Sequence, residues 1–194
     1  MTKKIVIILT LLSLSKNLLA NEAPSLLWDG GMNSILATKN TFSITISDQV
    51  TGGCLPNPRD LKDKMEFSLR KNGFKIKNDK DAITDNIFIT VLGYKTNQST
   101  CIIHLSVDLR LITAVIVPFS NDGNGTTNTL TKMRYNIGNG LLSGSKNSMQ
   151  SRLKKEISEY GDKLYLDISR AKDYTFSKFP FIKRNYQNSI IETK

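Results

Sequence analysis

The chain has 194 residues, of which 39% are hydrophobic and 23% charged, and its formal net charge at pH 7 is +10. This length corresponds to one domain with its own hydrophobic core, which excludes the small scaffolds that depend on several disulfides. The excess positive charge favours an anionic partner, such as a lipid headgroup, a polysaccharide or an acidic protein surface, and it would equally serve solubility.

The first twenty residues have the pattern of a secretory signal peptide. Lys3 and Lys4 form a cationic head, and an apolar run over residues 5–14 follows it. The run is shorter than the ~20 residues that a transmembrane helix needs. We therefore predict cleavage after Ala20, export to the periplasm or to the outside of the cell, and a mature chain without a transmembrane segment. Removal of the three lysines in the leader leaves a formal charge of +7.

The first elements after the leader are predicted from alternation and capping residues. Residues 21–40 follow no sustained period and are interpreted as an irregular lead-in with one helical turn near Ile35. Hydrophobic and hydroxyl side chains then alternate, which predicts a half-buried strand over residues 41–48. Asn57-Pro58 supplies a helix start and Asn72-Gly73 a C-cap, so a helix is predicted between these two pairs.

Four further strands are expected before the last helix. A short strand over residues 74–76 and another over residues 87–91 precede a long alternating strand over residues 101–117. Residues 130–135 form a less regular fifth strand. Three glycines then follow and are expected to loosen the chain: Gly138, Gly140 and Gly144.

A long amphipathic helix follows these glycines. Asn147 with Gln150 resembles a capping box, and Gly161 in the interior costs about 1 kcal/mol relative to Ala and suggests a bend. Its apolar residues recur every three or four positions: Met149, Leu153, Ile157, Tyr160, Leu164, Ile168 and Ala171. The element order predicts a single α+β domain over residues 41–173. We expect a two-layer sandwich in which a mainly antiparallel sheet of about five strands carries both helices on one face.

The two cysteines, Cys54 and Cys101, are predicted to form a disulfide, because an exported chain with an even cysteine count favours pairing. One alternative is a thiol nucleophile, which needs a base beside it. The sole histidine, His104, lies at an odd offset from Cys101 on the same strand, so the two side chains are expected on opposite faces. The other alternative, a zinc site, lacks the close ligand pairs that such sites use.

No motif commits the chain to a reaction, a cofactor or a nucleic acid. His104, Ser106 and Asp108 have the residue types of a serine-hydrolase triad, but side chains two apart on a strand are expected roughly 7 Å from each other. Residues 122–126 resemble a calcium loop that lacks its glycine and its terminal glutamate. Gly52-Gly53 is interpreted as a turn rather than an anion cradle. We predict no catalytic, cofactor-binding or metal-binding residues and no nucleic-acid partner.

The C-terminal segment, residues 174–194, combines aromatic and basic side chains. Its apolar residues follow no single period, and Pro180 interrupts both a helix and a central strand. Rings bury area while cations steer an encounter, so the mixture suits a protein or an anionic polymer. The predicted contact residues are Tyr174, Phe176, Phe179, Phe181, Lys183 and Arg184. The alternative is a tail folded over the domain's own apolar surface.

The leading functional hypothesis is an exported, non-catalytic domain that binds another component of the cell envelope. The alternative is a small hydrolase that acts on envelope material and uses carboxylates such as Asp108. An enzyme needs a concave site with convergent polar groups, so a deep cleft around His104 would favour the hydrolase.

Overall fold

The computed structural model of the chain describes residues 31–77, 85–117 and 127–191. The predicted signal peptide, most of the lead-in and the calcium-like segment over residues 122–126 lie outside the described residues. The described elements, in chain order, are α1 (Gly31–Ala37), β1 (Thr41–Val50), α2 (Arg59–Lys71), β2 (Lys75–Ile76), β3 (Asn86–Lys95), β4 (Thr100–Val117), β5 (Thr127–Ser145), α3 (Lys146–Lys178) and α4 (Pro180–Ile191).

The five strands form one mixed sheet in the order β2-β1-β3-β4-β5. β1 is parallel to β2, because the chain crosses over through α2 between them, and it is also parallel to β3 on its other side. β4 is antiparallel to both of its neighbours, β3 and β5, and β4 and β5 are the two longest strands. The predicted α+β fold, with about five strands and a long C-terminal helix packed on the sheet, is confirmed.

One face of the sheet and the helices α2 and α3 enclose the core. The alternating residues of β4 are fully buried on this face, among them Ile103, Leu105 and Leu109. The helices meet them with side chains at the predicted helical spacing, and these are also fully buried: Leu61, Met65, Leu69, Met149, Leu153, Ile157 and Leu164. The core also takes in Leu36 and Ala37 from α1, whose span includes the helical turn expected near Ile35.

The structure corrects two predicted helix starts. α2 begins at Arg59 after Pro58, and no side chain caps it, so Asn57 is not the expected cap. Gln150, expected in a capping box, instead donates from Nε2 to the backbone carbonyl of Asn57 at 2.9 Å. The pair therefore ties the start of α2 to α3. The predicted C-cap of α2 is confirmed, since Asn72 caps the helix and Gly73 has a φ of +84°.

The glycines after residue 135 do not end the last strand, because β5 runs on to Ser145. They lie where α3 passes close to the sheet. A Cβ at Gly138 would collide with the ring of Tyr160, and one at Gly144 with the guanidinium of Arg152. Sequence reasoning took these glycines for breakers, whereas the structure uses them to bring a helix against a strand.

Gly161 has a similar packing reason between the two long helices. It is buried in α3, and a Cβ added there would lie 2.8 Å from the Cβ of Ser68 in α2. Gly161 lowers the helix propensity of α3 by about 1 kcal/mol relative to Ala, and the absence of a side chain there lets α2 and α3 pack closely.

Cys54 and Cys101 form the predicted disulfide, with a Cα–Cα distance of 5.9 Å, and both are fully buried. The bond joins the loop after β1 to the start of β4. These strands are not neighbours, since β3 lies between them. The loop reaches across the end of β3, where the Thr51 amide donates to the Gly93 carbonyl at 2.9 Å.

β5 is the last strand of the sheet, and side chains of α3 bind two of its backbone carbonyls. Lys163 Nζ donates to the Ile137 carbonyl at 2.7 Å, and Arg152 Nη1 donates to the Ser143 carbonyl at 2.5 Å. Ile137 lies at a β-bulge, where the register between β4 and β5 shifts.

Across the described residues, no helix is both long enough and apolar enough to cross a membrane.

Candidate functional site

The sheet face opposite α2 and α3, here called the open face, is the candidate site. Strand alternation places polar and large apolar side chains on it, and the strand register sets them in rows. One row across β3, β4 and β5 contains Leu92, His104 and Leu141, and the next contains Thr90, Ser106 and Asn139. A third row contains Phe88, Asp108 and Asn136.

Asp108 is the most enclosed charged group of the open face, with only 2% of its surface exposed. Its carboxylate accepts hydrogen bonds from Arg134 Nη2 at 2.6 Å, Asn136 Nδ2 at 3.0 Å and Ser106 Oγ at 3.4 Å. Burial raises the pKa of Asp108, but these hydrogen bonds and the charge of Arg134 outweigh it and lower the pKa below its usual value. The carboxylate is therefore held ionised beside the β-bulge.

The expectation that side chains two apart on this face lie too far from each other for a hydrogen bond was wrong for one pair. Ser106 Oγ donates a hydrogen bond to Asp108 Oδ2. The contact still does not form a triad. Within the described part of the chain no hydrogen bond joins His104 to Ser106, and His104 is exposed. A serine bonded directly to a carboxylate has no imidazole to take its proton, and a carboxylate with a lowered pKa is a weak base.

Two cavities among the described residues lie away from His104, Ser106 and Asp108. One cavity of the chain, about 420 Å³, lies beside Thr45 and Arg59, and another, about 220 Å³, lies beside Phe74 and Tyr165. Neither is lined by His104, Ser106 or Asp108. Within the described ranges, no group of three or more His, Cys, Asp or Glu residues is placed to hold a metal ion.

Large side chains stand out from the open face on both sides of His104. Leu141 is 72% exposed, Tyr94 57% and Leu92 39%. Farther along the face, the guanidinium of Arg110 stacks on the ring of Phe88, with 3.5 Å between its central carbon and the ring centroid. Aromatic, apolar and arginine side chains are thus collected on the open face.

The hydrogen bonds to Asp108 predict an acid-sensitive stability. Since the pKa of Asp108 is lowered in the folded state, its stabilising effect is present above the unfolded pKa of ~3.9 and is lost as the pH falls through the folded value. We expect Asp108→Asn to destabilise the domain at neutral pH and to weaken the acid dependence of its unfolding midpoint. Urea unfolding over a pH series measures both. Asp173→Asn, at an exposed position, is the control, and equal acid dependence in both variants would contradict the prediction.

The C-terminal segment is helical, which sequence reasoning missed. α3 continues to Lys178, the helix breaks at Phe179, and α4 starts at Pro180, a position where a proline lacks no needed donor. α4 turns back along α3, since the ring of Tyr186 lies 5.5 Å from that of Phe176. Proline therefore separates two helices here instead of preventing them.

The structure divides the six predicted contact residues of this segment. Phe176 packs partly against the core, whereas Tyr174 is 43% exposed. Phe179 and Phe181 are half-buried, with ring centroids 6.3 Å apart, and Lys183 and Arg184 are exposed. The segment remains a candidate contact surface through its exposed members.

Sequence reasoning did not identify Tyr94, Arg134 or Leu141 as site residues. Tyr94 lies beyond the predicted end of β3, and Leu141 lies in the glycine-containing stretch that was interpreted as irregular. A comparison with protein-family models finds no match, and a search of curated proteins finds no relative.

Proposed function

We propose that the chain is an exported, non-catalytic domain that binds another component of the cell envelope, and that a folded protein partner docks on the open face. The observation that carries the proposal is the exposure of Tyr94, Leu92 and Leu141 on one face of the sheet. Clustered exposed apolar side chains with a polar surround mark interaction sites on soluble domains.

The composition of the open face supports a protein partner. Tyrosine and arginine are enriched among the residues that dominate binding energy, and the open face offers Tyr94, Arg110 and Arg134. The rows lie on a hydrogen-bonded sheet, so little ordering of the backbone would accompany binding. Arg134 is 66% exposed while it holds Asp108, which leaves part of its guanidinium available to a partner.

Two observations support export. The first twenty residues have the cationic head and apolar run of a signal peptide. The disulfide between Cys54 and Cys101 fits an oxidising compartment, where such bonds form and persist. An exported domain with basic and aromatic side chains on its surface would encounter proteins of the cell envelope.

Site-specific photo-crosslinking in the native cell tests the proposal. A photoreactive amino acid at Leu141 is expected to give one discrete product with an envelope protein, because this side chain is 72% exposed on the open face. The same group at Lys155, exposed on α3, is the control and should give none. Adding Tyr94→Asp to the Leu141 probe should abolish the product while the melting temperature stays unchanged.

Two outcomes contradict the open face as the contact surface. Equal products from Leu141 and Lys155 would show unspecific capture. A discrete product from a probe at Tyr174, with none from Leu141, would move the contact to the C-terminal segment.

A further inference from the structure

A second candidate site lies away from the open face, in a pocket of about 220 Å³ between the α2–β2 turn and the helices α3 and α4. We call it the α3–α4 pocket. Sites for drug-sized ligands measure ~300–1,000 Å³, so this pocket admits one ring-sized group. Its lining combines three aromatic rings, two amides and two lysines, so it offers apolar, hydrogen-bonding and charged groups to a ligand.

The aromatic rings form two walls of the α3–α4 pocket. On one side, Phe74 and Tyr165 meet edge to face at 6.3 Å, and Phe74 is anchored on the buried ring of Phe42 at 5.3 Å. On the other side, α4 supplies Tyr186, which packs on Phe176. Rings in this arrangement present apolar surface to a small ring-shaped ligand.

Two lysines give the pocket a positive charge. Lys75 is exposed, and Lys172 is half-buried with Nζ 5.2 Å from the ring centroid of Tyr186. Among the described residues, neither lysine forms an ion pair. Near the end of α2, the carbonyls of Ser68, Leu69 and Arg70 accept hydrogen bonds from the amides of residues 72–74. Both lysines thus line the pocket without an acidic partner among the described residues.

The amides add one acceptor and one donor. Asn72 Nδ2 donates to the Ser68 carbonyl at 3.0 Å and to Asp162 Oδ1 at 3.1 Å, which fixes the side chain and leaves Oδ1 as an acceptor. Asn40 Oδ1 accepts from Thr41 Oγ1 at 2.9 Å, which leaves Nδ2 as a donor. A sugar hydroxyl both donates and accepts hydrogen bonds, so it can bond to either amide.

We propose that the α3–α4 pocket binds one unit of an acidic saccharide, with the sugar ring between the aromatic walls and its acid group at Lys75 and Lys172. The proposal rests on the pocket alone. Crosslinking at Leu141 tests the open face separately, so either proposal can fail without the other.

Titration of the mature chain with glucuronic acid, followed by amide NMR shifts, tests this inference. Shifts are expected at Gly73, Lys75 and Ser169, and glucose should bind about tenfold more weakly because it lacks the charge. The double variant Lys75→Gln/Lys172→Gln should weaken glucuronate binding by about tenfold and leave glucose binding unchanged. Lys155→Gln, on an exposed part of α3, is the matched control and should change neither.

Further variants and probes make the inference falsifiable. Tyr186→Ala should weaken both sugars, since it removes one aromatic wall. Equal affinity for glucose and glucuronate would overturn the role of the lysines. Inorganic phosphate that binds as tightly as glucuronate, with the same shifts, would overturn the saccharide assignment, and absence of binding by the wild-type chain would overturn the site. A native amide spectrum for each variant excludes loss of folding as the cause.

Discussion

Replacing Leu153 or Ile157 with Ala is expected to lower the free energy of unfolding by about 2–5 kcal/mol. Both side chains are fully buried where α3 packs on the sheet. The truncation removes apolar contact area and leaves a cavity that the neighbouring strands cannot fill without moving. Urea unfolding followed by circular dichroism gives the difference from the wild-type domain.

The control for this prediction lies on the same helix. Lys155 is exposed and its ammonium lies 3.7 Å from Glu159, so Lys155→Ala should change the stability by less than about 1 kcal/mol. Lys154 pairs with Asp60 at 3.0 Å across the two helices, which makes it a less neutral comparison. Small, equal losses at positions 153, 155 and 157 would mean that α3 is not docked on the sheet.

Loss of the disulfide should destabilise the domain by about 4 kcal/mol in the chain-entropy view, since it releases a loop that the unfolded chain otherwise keeps closed. The bonded cysteines are 47 residues apart and fully buried. The double variant Cys54→Ala/Cys101→Ala removes the bond, and thermal and urea unfolding measure the loss. Wild-type protein under reducing conditions should approach the stability of this variant.

Mass spectrometry checks the state of the same bond in exported protein. The intact chain should start at Asn21 and weigh two hydrogens less than its reduced form. Free thiols at Cys54 and Cys101 in this material, or a double variant as stable as the wild type, would contradict the prediction.

The elements with an unbroken pattern could be predicted from the sequence. The alternation over residues 101–117 identified β4, whose odd-numbered side chains are buried from Cys101 to Leu111, and the regular spacing of apolar residues identified α3. The disulfide followed from compartment and cysteine count. Strand order could not be read in this way, since β1 lies between β2 and β3, which follow it in the chain, and this arrangement depends on long-range pairing.

The missed features depend on contacts between distant residues. The glycines of β5 leave room for the side chains of Tyr160 and Arg152 from α3, and a local pattern does not show this contact. α4 begins at Pro180 and packs on α3 through the contact between the rings of Tyr186 and Phe176. The sequence pattern of β4 predicted the polar residues of the open face. Tyr94 and Leu141 were missed because β3 and β5 are longer than the local patterns predicted.

The position of β5 at the edge of the sheet bears on aggregation. Among the described residues β5 is the last strand of the sheet, and a strand of 19 residues at a sheet edge could template the addition of further strands. Lys163 and Arg152 already occupy two of its carbonyl acceptors, the bulge at Ile137 interrupts the regular ladder, and Lys132 and Arg134 add charge. The chain would therefore resist fibril-like self-assembly at this edge even at high protein concentration.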